Sequence, residues 1–286
     1  MIRSCALVTM NTLIVLSLAL SAGCASKSSS ADDGSAAAGS DAAQVESDSE
    51  SFGSMFATSG SDGSLTPSSF AGGSLTTQGL PGGGAANNFP NLYPAGCATE
   101  TQDLASKTNT YVFTNCTGPW GFSKINGTVA VTWSSTGADN LTLNFSATNF
   151  EINRATISTW KATAVITASG NDRDMQWNGA FSGTTGAGRD FNRTNVKDIK
   201  WTVGAQCIAI SGQSTGDVTG KNLTTKIISY DRCAAECPEA NSEINIHNDD
   251  TGNDIDIKFE GGAKADVTIT ANGKTDSIDV VAPCGG

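Results

Sequence analysis

The strict alternation of apolar and polar residues between positions 242 and 282 constrains the fold more than any other feature. Apolar side chains occupy every second position of short runs there, which is the repeat of a strand with one buried face. Turn-forming residues separate the runs, and Asn272-Gly273 is the strongest of these hairpin signals. This segment therefore predicts a four-stranded antiparallel meander. Its apolar positions are Ile244, Ile246, Ile255, Ile257, Phe259, Val267, Ile269, Ile278 and Val280.

The same alternation continues upstream, and no proline interrupts the chain between Pro119 and Pro238. About a dozen short strands separated by Gly, Asn and Asp turns predict an all-β fold, either a β-sandwich or an open or closed barrel. Tryptophans that alternate in phase with aliphatic residues are predicted to be core, namely Trp133, Trp160, Trp177 and Trp201. The upstream strands are predicted at 111–116, 128–134, 141–150, 160–168, 174–181, 198–203, 207–212 and 223–230.

The N-terminus carries the most specific motif of the chain. Arg3 precedes an apolar run at 13–20, which is too short to span a bilayer and is typical of a secretory signal. The next residues, Leu20-Ser21-Ala22-Gly23-Cys24, resemble the lipobox of bacterial lipoproteins, although aliphatic residues are commoner than serine at position 21. The resemblance implies removal of a signal peptide at 1–23 and acylation of Cys24. An ordinary signal followed by a chance cysteine is the alternative.

Lipidation at Cys24 would make the membrane a partner of this chain, because several acyl chains together give stable anchoring. The resemblance places the protein in the bacterial cell envelope, at the outer membrane, facing either the periplasm or the cell surface. Residues 24–92 are rich in Ser, Gly, Ala and Asp, and such a composition predicts a disordered linker. We therefore expect a lipid-anchored tether followed by one all-β domain at 93–286.

Six cysteines remain after Cys5 and Cys24 are set aside, and an even number in an exported chain predicts disulfides. A turn centred on residues 219–221 places Cys207 opposite Cys233 in a hairpin. A zinc site built on Cys233 and Cys237 is disfavoured, because no paired histidines or second close cysteine pair accompany it. The predicted bridges are Cys97–Cys116, Cys207–Cys233 and Cys237–Cys284, the last of which requires the sheet to curl or the 237–241 segment to cross beneath it.

Motifs for catalysis or metal binding are sparse. His247 is the only histidine and is predicted on the polar side of its strand, which disfavours a Ser-His-Asp triad. No cofactor is expected, because the glycines at 183–188 lack the spacing and the lysine of a P-loop. Five oxygen-bearing side chains form a calcium candidate, although their spacing matches no EF-hand and the same residues suit tight turns. They are Asp249, Asp250, Asn253, Asp254 and Asp256.

The remaining signals bear on function. A net charge of −11 disfavours nucleic-acid binding, because phosphate backbones are also negative. Trp120 lies in a predicted loop and is the candidate for an exposed ligand contact. We expect a non-catalytic structural or binding domain with an unidentified protein or glycan partner. A glycan- or lipid-binding β module is the alternative, and a hydrolase is the third.

Overall fold

The fold was analysed in a computed structural model, which describes residues 92–118, 122–137, 140–202, 207–233, 238–261 and 264–281. These residues form thirteen strands in one sheet, in which each strand pairs antiparallel with its neighbours in sequence. The described residues contain no helix able to span a membrane. The strands are β1 (Ala98–Asp103), β2 (Thr108–Gly118), β3 (Phe122–Gly137), β4 (Asn140–Ile152), β5 (Ala155–Ser169), β6 (Asp172–Thr184), β7 (Asp190–Thr202), β8 (Cys207–Val218), β9 (Lys221–Cys233), β10 (Glu243–Asn248), β11 (Asn253–Gly261), β12 (Lys264–Ala271) and β13 (Lys274–Val281).

The predicted all-β antiparallel meander is confirmed. Of the arrangements left open by the sequence, the structure shows a single sheet that is not closed, since the described residues do not pair β1 with β13. Strand β1 was not predicted, and β7 begins at Asp190 rather than at 198. Two of the connecting turns carry two consecutive residues with positive φ, at Thr219-Gly220 and Asn272-Gly273. This is the requirement of a two-residue type I′ hairpin.

One face of the sheet, here called the inner face, carries the buried side chains. Its main cluster extends from β2 to β9 and includes the four tryptophans predicted to be core. Trp160 lies at the centre of an aromatic group, with ring centroids 5.8 Å from both Phe145 and Trp177. A second, smaller cluster lies on β10–β12 and is almost wholly aliphatic. Tyr230 packs against both clusters and therefore links them.

The opposite face is polar, and hydroxyl and amide side chains pair across neighbouring strands. Thr163 donates to Asn144 at 2.9 Å, and Thr194 lies 3.3 Å from Thr215 through their hydroxyl oxygens. Such cross-strand pairs each stabilise a sheet by a few tenths of a kcal/mol to about 1 kcal/mol. The Thr- and Asn-rich strands are thus explained by a solvated outer face.

Candidate functional site

A pocket of about 570 Å³ opens at one end of the strands from β5 to β9. We call it the strand-end pocket. Its volume lies in the range of about 300–1,000 Å³ that is usual for small-ligand sites. The described residues that line it are Thr167, Ser169, Asp172, Arg173, Asp174, Lys200, Trp201, Thr202, Cys207, Ile208, Ala209, Asp231 and Glu239.

The pocket lies where the ladder between β7 and β8 ends. The last register pair of these strands is Lys200 with Ala209. Strand β7 continues beside β6 as far as Thr202, and β8 begins beside β9 at Cys207. Because the two strand pairs run past the end of the shared ladder, their ends form the two walls of the pocket.

The cationic side chains of the pocket are engaged with the protein itself. Lys200 Nζ lies 2.9 Å from Asp198 and 3.7 Å from Asp174. The hydrogen bond to Asp198 is the main reason that the pKa of Lys200 is raised. Arg173 Nη1 donates to the backbone oxygens of Gly170 at 2.8 Å and of Asp172 at 2.9 Å. Both positive charges therefore hold the ends of the strands in place.

The carboxylates of the pocket divide into two groups. Asp172 accepts a hydrogen bond from Thr202 Oγ1 at 2.8 Å, and Asp174 accepts one from Gln176 as well as pairing with Lys200. Asp231 and Glu239 are exposed, and within the described ranges their carboxylates form no hydrogen bond or ion pair. A backbone hydrogen bond of 2.8 Å from Glu239 to Asp231 keeps the two residues together. These two acids are thus available to a ligand.

Trp201 and Ile208 supply the apolar part of the wall. Trp201 is 4% exposed and Ile208 is 3% exposed, so both also belong to the main core. The indole Nε1 of Trp201 is buried without a hydrogen-bond partner. A buried donor of this kind costs the fold roughly 1–3 kcal/mol. Because this nitrogen has almost no accessible surface, the uncommitted polar groups that a ligand can reach are the two carboxylates.

A second group of polar side chains, here called the inner patch, lies in the middle of β7–β9. Arg193 is fully buried and donates to Ser214, to Thr225 and to the backbone oxygen of Leu223, at distances of 2.9–3.3 Å. Asn195 accepts a hydrogen bond of 3.1 Å from Trp177 Nε1. These donors and acceptors satisfy one another inside the sheet, so the inner patch is a structural network.

Glu100, on the inner face of β1, is the acid with the most perturbed titration. Burial raises the pKa of Glu100 to about 7, against a smaller opposing effect of its hydrogen bond with Tyr111. Tyr111 is itself fully buried and lies in register with Glu100. The carboxyl group is therefore largely neutral below pH 7 and ties β1 to β2.

The calcium candidates do not converge on one point. Among the described residues, no group of three or more His, Cys, Asp or Glu side chains could hold a metal ion. Each candidate instead has a partner of its own within the sheet. Asp249 accepts from Thr224, Asp250 from Asn222, Asn253 from the backbone of Asn272, and Asp256 from Asn245, while Asp254 pairs with His247.

His247 lies on the outer face, as its alternation predicted. Its Nδ1 is 2.7 Å from Asp254, and its Nε2 is 3.9 Å from Asp249. None of these contacts includes a serine nucleophile, so His247 and Asp254 form a hydrogen-bonded pair on the outer face rather than part of a triad. The hydrogen bond of Asp250 with the backbone N–H of Asn222 lowers the pKa of that carboxyl.

The predicted disulfide between Cys97 and Cys116 is present, with a Cα–Cα distance of 5.3 Å. Cys207 stands in register with Cys233, as the hairpin argument predicted, and Cys207 is disulfide-bonded. The turn has two residues between Val218 and Lys221 instead of the predicted three, which would move Cys207 out of line with Cys233 by one residue. A register shift between Ile210 and Gly212 brings the two cysteines back into line. The Cys207–Cys233 bond itself stays a prediction. Cys24, Trp120, Cys237 and Cys284 lie outside the described residues.

Sequence reasoning did not find the strand-end pocket. It correctly assigned Trp201 to the core by phase, but it gave no sign that this core position also lines a pocket. Asp231 and Glu239 come from the region between two predicted strands, where isolated acids are ordinary. The one available signal was the long gap between β9 and β10, compared with the tight turns elsewhere.

Comparisons with protein-family models, with curated protein sequences and with solved structures find no match to this chain. The geometry of the strand-end pocket and the N-terminal motif are therefore the two features of this chain that bear on its function. Fold alone does not decide function, since one architecture supports many sites.

Proposed function

We propose that this protein is a lipid-anchored component of the bacterial cell envelope whose β domain is a non-catalytic binding module. The strand-end pocket carries the binding part of the proposal. It offers a ligand-sized space whose wall combines the core residues Trp201 and Ile208 with charged and hydroxyl side chains, and two of its carboxylates are uncommitted within the described residues. A concave space of this size with polar groups that a ligand can use is typical of ligand sites.

A non-catalytic role is favoured over hydrolysis by the arrangement of the described side chains. The histidine lies among aspartates and a threonine on the outer face of β9–β11, apart from the residues that line the pocket. A nucleophile with an adjacent oriented base is the usual requirement for covalent hydrolysis. The pocket lining contains Ser169 and Thr202, but neither has a histidine beside it among the described residues.

A glycan is favoured over a lipid as the ligand. Six of the lining side chains are charged and three carry hydroxyl groups, which suits a ligand with many hydrogen-bonding groups. A lipid tail would instead require a predominantly apolar cavity. The acyl chains in this proposal belong to the anchor at Cys24 and not to the pocket.

The anchor is tested by metabolic labelling with palmitate in a bacterial host. The unmodified chain should take up label and fractionate with membranes, while Cys24→Ser should do neither. Cys5→Ser is the matched control, because it changes a cysteine that the cleavage would remove, and it should be labelled normally. Equal membrane association of the Cys24→Ser chain would contradict the anchor.

The binding role is tested by NMR titration of the β domain with neutral and charged oligosaccharides. Ligand-induced shifts should concentrate at the indole of Trp201 and at the backbone of Asp231 and Glu239. Shifts confined to the outer face, or none with any sugar, would contradict the assignment of the pocket. Release of product from a panel of esters and glycosides would contradict the non-catalytic role.

A further inference from the structure

The disulfide-bonded cysteines that the structure describes lie in contrasting surroundings. Cys97 and Cys116 are bonded to each other, and their side chains are 7% and 0% exposed. Cys207 is also disulfide-bonded, but it is exposed and lines the strand-end pocket. Because an attacking thiol must reach a sulfur atom of the bond, access governs the rate of reduction. The bond at Cys207 is therefore open to attack, whereas the Cys97–Cys116 bond is shielded.

The strand register points to Cys233 as the partner of Cys207. The two residues form the terminal pair of the β8–β9 ladder. Residues that stand directly opposite each other in an antiparallel ladder have Cα atoms about 4.5–5.5 Å apart, which lies within the range that a disulfide requires. A bond between them closes the open end of the hairpin, on the far side from its turn.

The backbone at Cys207 is supported by a neighbouring strand on one side only. The β7–β8 ladder stops at the pair Lys200–Ala209, so among the described residues β7 does not pair with Cys207. An unbroken register would place Thr202 opposite Cys207, but the two strands part there and both residues line the pocket. The first residues of β8 therefore depend on β9 and on the disulfide for their position.

The charge of the pocket favours some thiols over others. Four of its lining side chains are carboxylates, and its two cations, Lys200 and Arg173, are already engaged within the protein. The whole chain also carries a net charge of −11. A negatively charged thiol is therefore repelled from the pocket, and a neutral or positively charged thiol is favoured.

We propose that the disulfide at Cys207 is a site of thiol–disulfide exchange, at which a small neutral or cationic thiol reduces the bond and loosens the wall of the strand-end pocket. The thiolate attacks Cys207 Sγ, a mixed disulfide forms, and the sulfur of Cys233 leaves as a thiolate. A second thiolate attacks the first in the mixed disulfide and releases the Cys207 thiolate, so the two thiols become one disulfide. The protein gains two electrons and takes up the two protons that the thiols gave up. The exchange site does not depend on the proposed binding function, because it needs only an accessible disulfide.

The experiment first maps the bond in the oxidised full chain. Digestion without a reductant, by one protease that cleaves after arginine and one that cleaves after glutamate, separates Cys233 from Cys237 because Glu236 lies between them. We expect the Cys207 peptide to be linked to the Cys233 peptide. A link from Cys207 to any other cysteine would overturn the assignment of the bond to the end of the hairpin.

The rates of reduction are then compared within the same molecules. The full chain is incubated with 2-mercaptoethanol, free thiols are trapped with iodoacetamide at successive times, and mass spectrometry follows the peptides of Cys207 and Cys97. We expect the bond at Cys207 to be reduced at least about tenfold faster, and the ratio to approach one in denaturing urea. Equal rates in the native chain, or faster reduction of Cys97–Cys116, would overturn the proposal.

Three thiols with the same two-carbon skeleton test the selection by charge. Cysteamine is positive, 2-mercaptoethanol is neutral and 2-mercaptoethanesulfonate is negative. After correction for the ionised fraction and intrinsic reactivity of each thiol, the rate at Cys207 should fall in that order by a few-fold and converge at high salt. The double variant Asp231→Asn, Glu239→Gln should narrow the spread, whereas Asp276→Asn, which changes an exposed carboxylate outside the pocket, should leave it unchanged. Equal rates for the three thiols would overturn the selection by charge.

Amide hydrogen exchange, measured by NMR, shows what reduction does to the pocket wall. At a thiol concentration that leaves Cys97–Cys116 oxidised, exchange at residues 207–209 should rise at least about tenfold while β4–β6 stay protected. The double variant Cys207→Ser, Cys233→Ser should give the same pattern without any reductant. Exchange that does not change on reduction, or that rises throughout the sheet, would overturn the loosening of the pocket wall.

Discussion

Two polar regions lie along the same strand, β7, and they differ in how their hydrogen bonds are met. In the inner patch, Arg193 is fully buried and its donors reach Ser214, Thr225 and the backbone of Leu223. In the strand-end pocket, the carboxylates of Asp231 and Glu239 are exposed, and within the described ranges they form no hydrogen bond or ion pair. A group of polar side chains therefore does not by itself identify a binding site in this sheet. The unused hydrogen-bonding capacity separates a region that holds the fold from one that is open to a ligand.

The largest effect should follow from removing the centre of the inner patch. Arg193→Ala takes away the donors of four hydrogen bonds and leaves their acceptors buried. We expect a loss of about 3–5 kcal/mol in the free energy of unfolding, measured by urea denaturation.

Thr194→Ala is the matched control for this measurement. Thr194 is the next residue of β7, it points to the outer face, and it is exposed. Its replacement should cost less than about 1 kcal/mol. If both variants lost the same stability, the inner patch would not be the structural network described above.

A smaller effect should follow from crowding the same network through the backbone. Gly216, in β8, has a φ of +142°, and an added Cβ would collide with the backbone oxygen of Asn192 and lie 2.8 Å from the Cα of Arg193. Gly216→Ala should therefore cost about 2–4 kcal/mol. Gly273→Ala also has positive φ but open space around the Cβ, and it should cost about 1 kcal/mol. Thermal unfolding of both variants tests whether close packing adds to the backbone strain.

The inner patch also explains which strands could be predicted from sequence. The β10–β13 meander was predicted closely, because apolar residues alternate throughout it. The prediction of β7 started at 198, because Arg193, Asn195 and Lys197 occupy inward positions where an apolar residue is expected. Period-two reasoning cannot distinguish a buried polar network from a loop, since the partners come from β8 and β9.

Edge strand β1 was missed for a related reason. Its inward positions include Glu100 and Gln102, which give no apolar alternation.

The hairpin of β8 and β9 shows a different limit of the sequence. A two-residue turn and a register shift replace the predicted longer turn, yet Cys207 and Cys233 still align. Register at the end of a hairpin thus depends on irregularities that the turn sequence does not reveal.

Glu100 should give the strand edge a distinctive dependence on pH. Its folded-state pKa of about 7 lies above the ordinary value of 4.5, so the folded protein binds more protons than the unfolded chain between these values. The contribution of Glu100 is thus fully present below about pH 4.5 and is lost as pH rises through 7. Thermal unfolding between about pH 5 and pH 8 should show this decline, and Glu100→Gln should flatten it.

Glu151→Gln is the control for the pH profile. Hydrogen bonds with Lys124 and Asn126 lower the pKa of Glu151, so its contribution is lost only as pH falls into the acid range. This variant should leave the slope between about pH 5 and pH 8 unchanged. A decline that persists in Glu100→Gln would assign the pH dependence to another group.

The pocket itself could not have been predicted from the sequence, because it depends on where one ladder stops. Trp201 is a core residue by pattern, while Asp231 and Glu239 are isolated acids. Only the three-dimensional end of the β7–β8 ladder brings them around one space.

The central claim is that the inner patch serves the fold and the strand-end pocket serves a ligand. The most direct test measures both properties on the double variant Asp231→Asn, Glu239→Gln. Because both side chains are exposed and uncommitted within the described residues, the free energy of unfolding should change by less than about 0.5 kcal/mol. Affinity for the oligosaccharide that binds the unaltered domain in the NMR titration should fall about tenfold in the same preparation. A clear loss of stability with affinity unchanged would contradict the account.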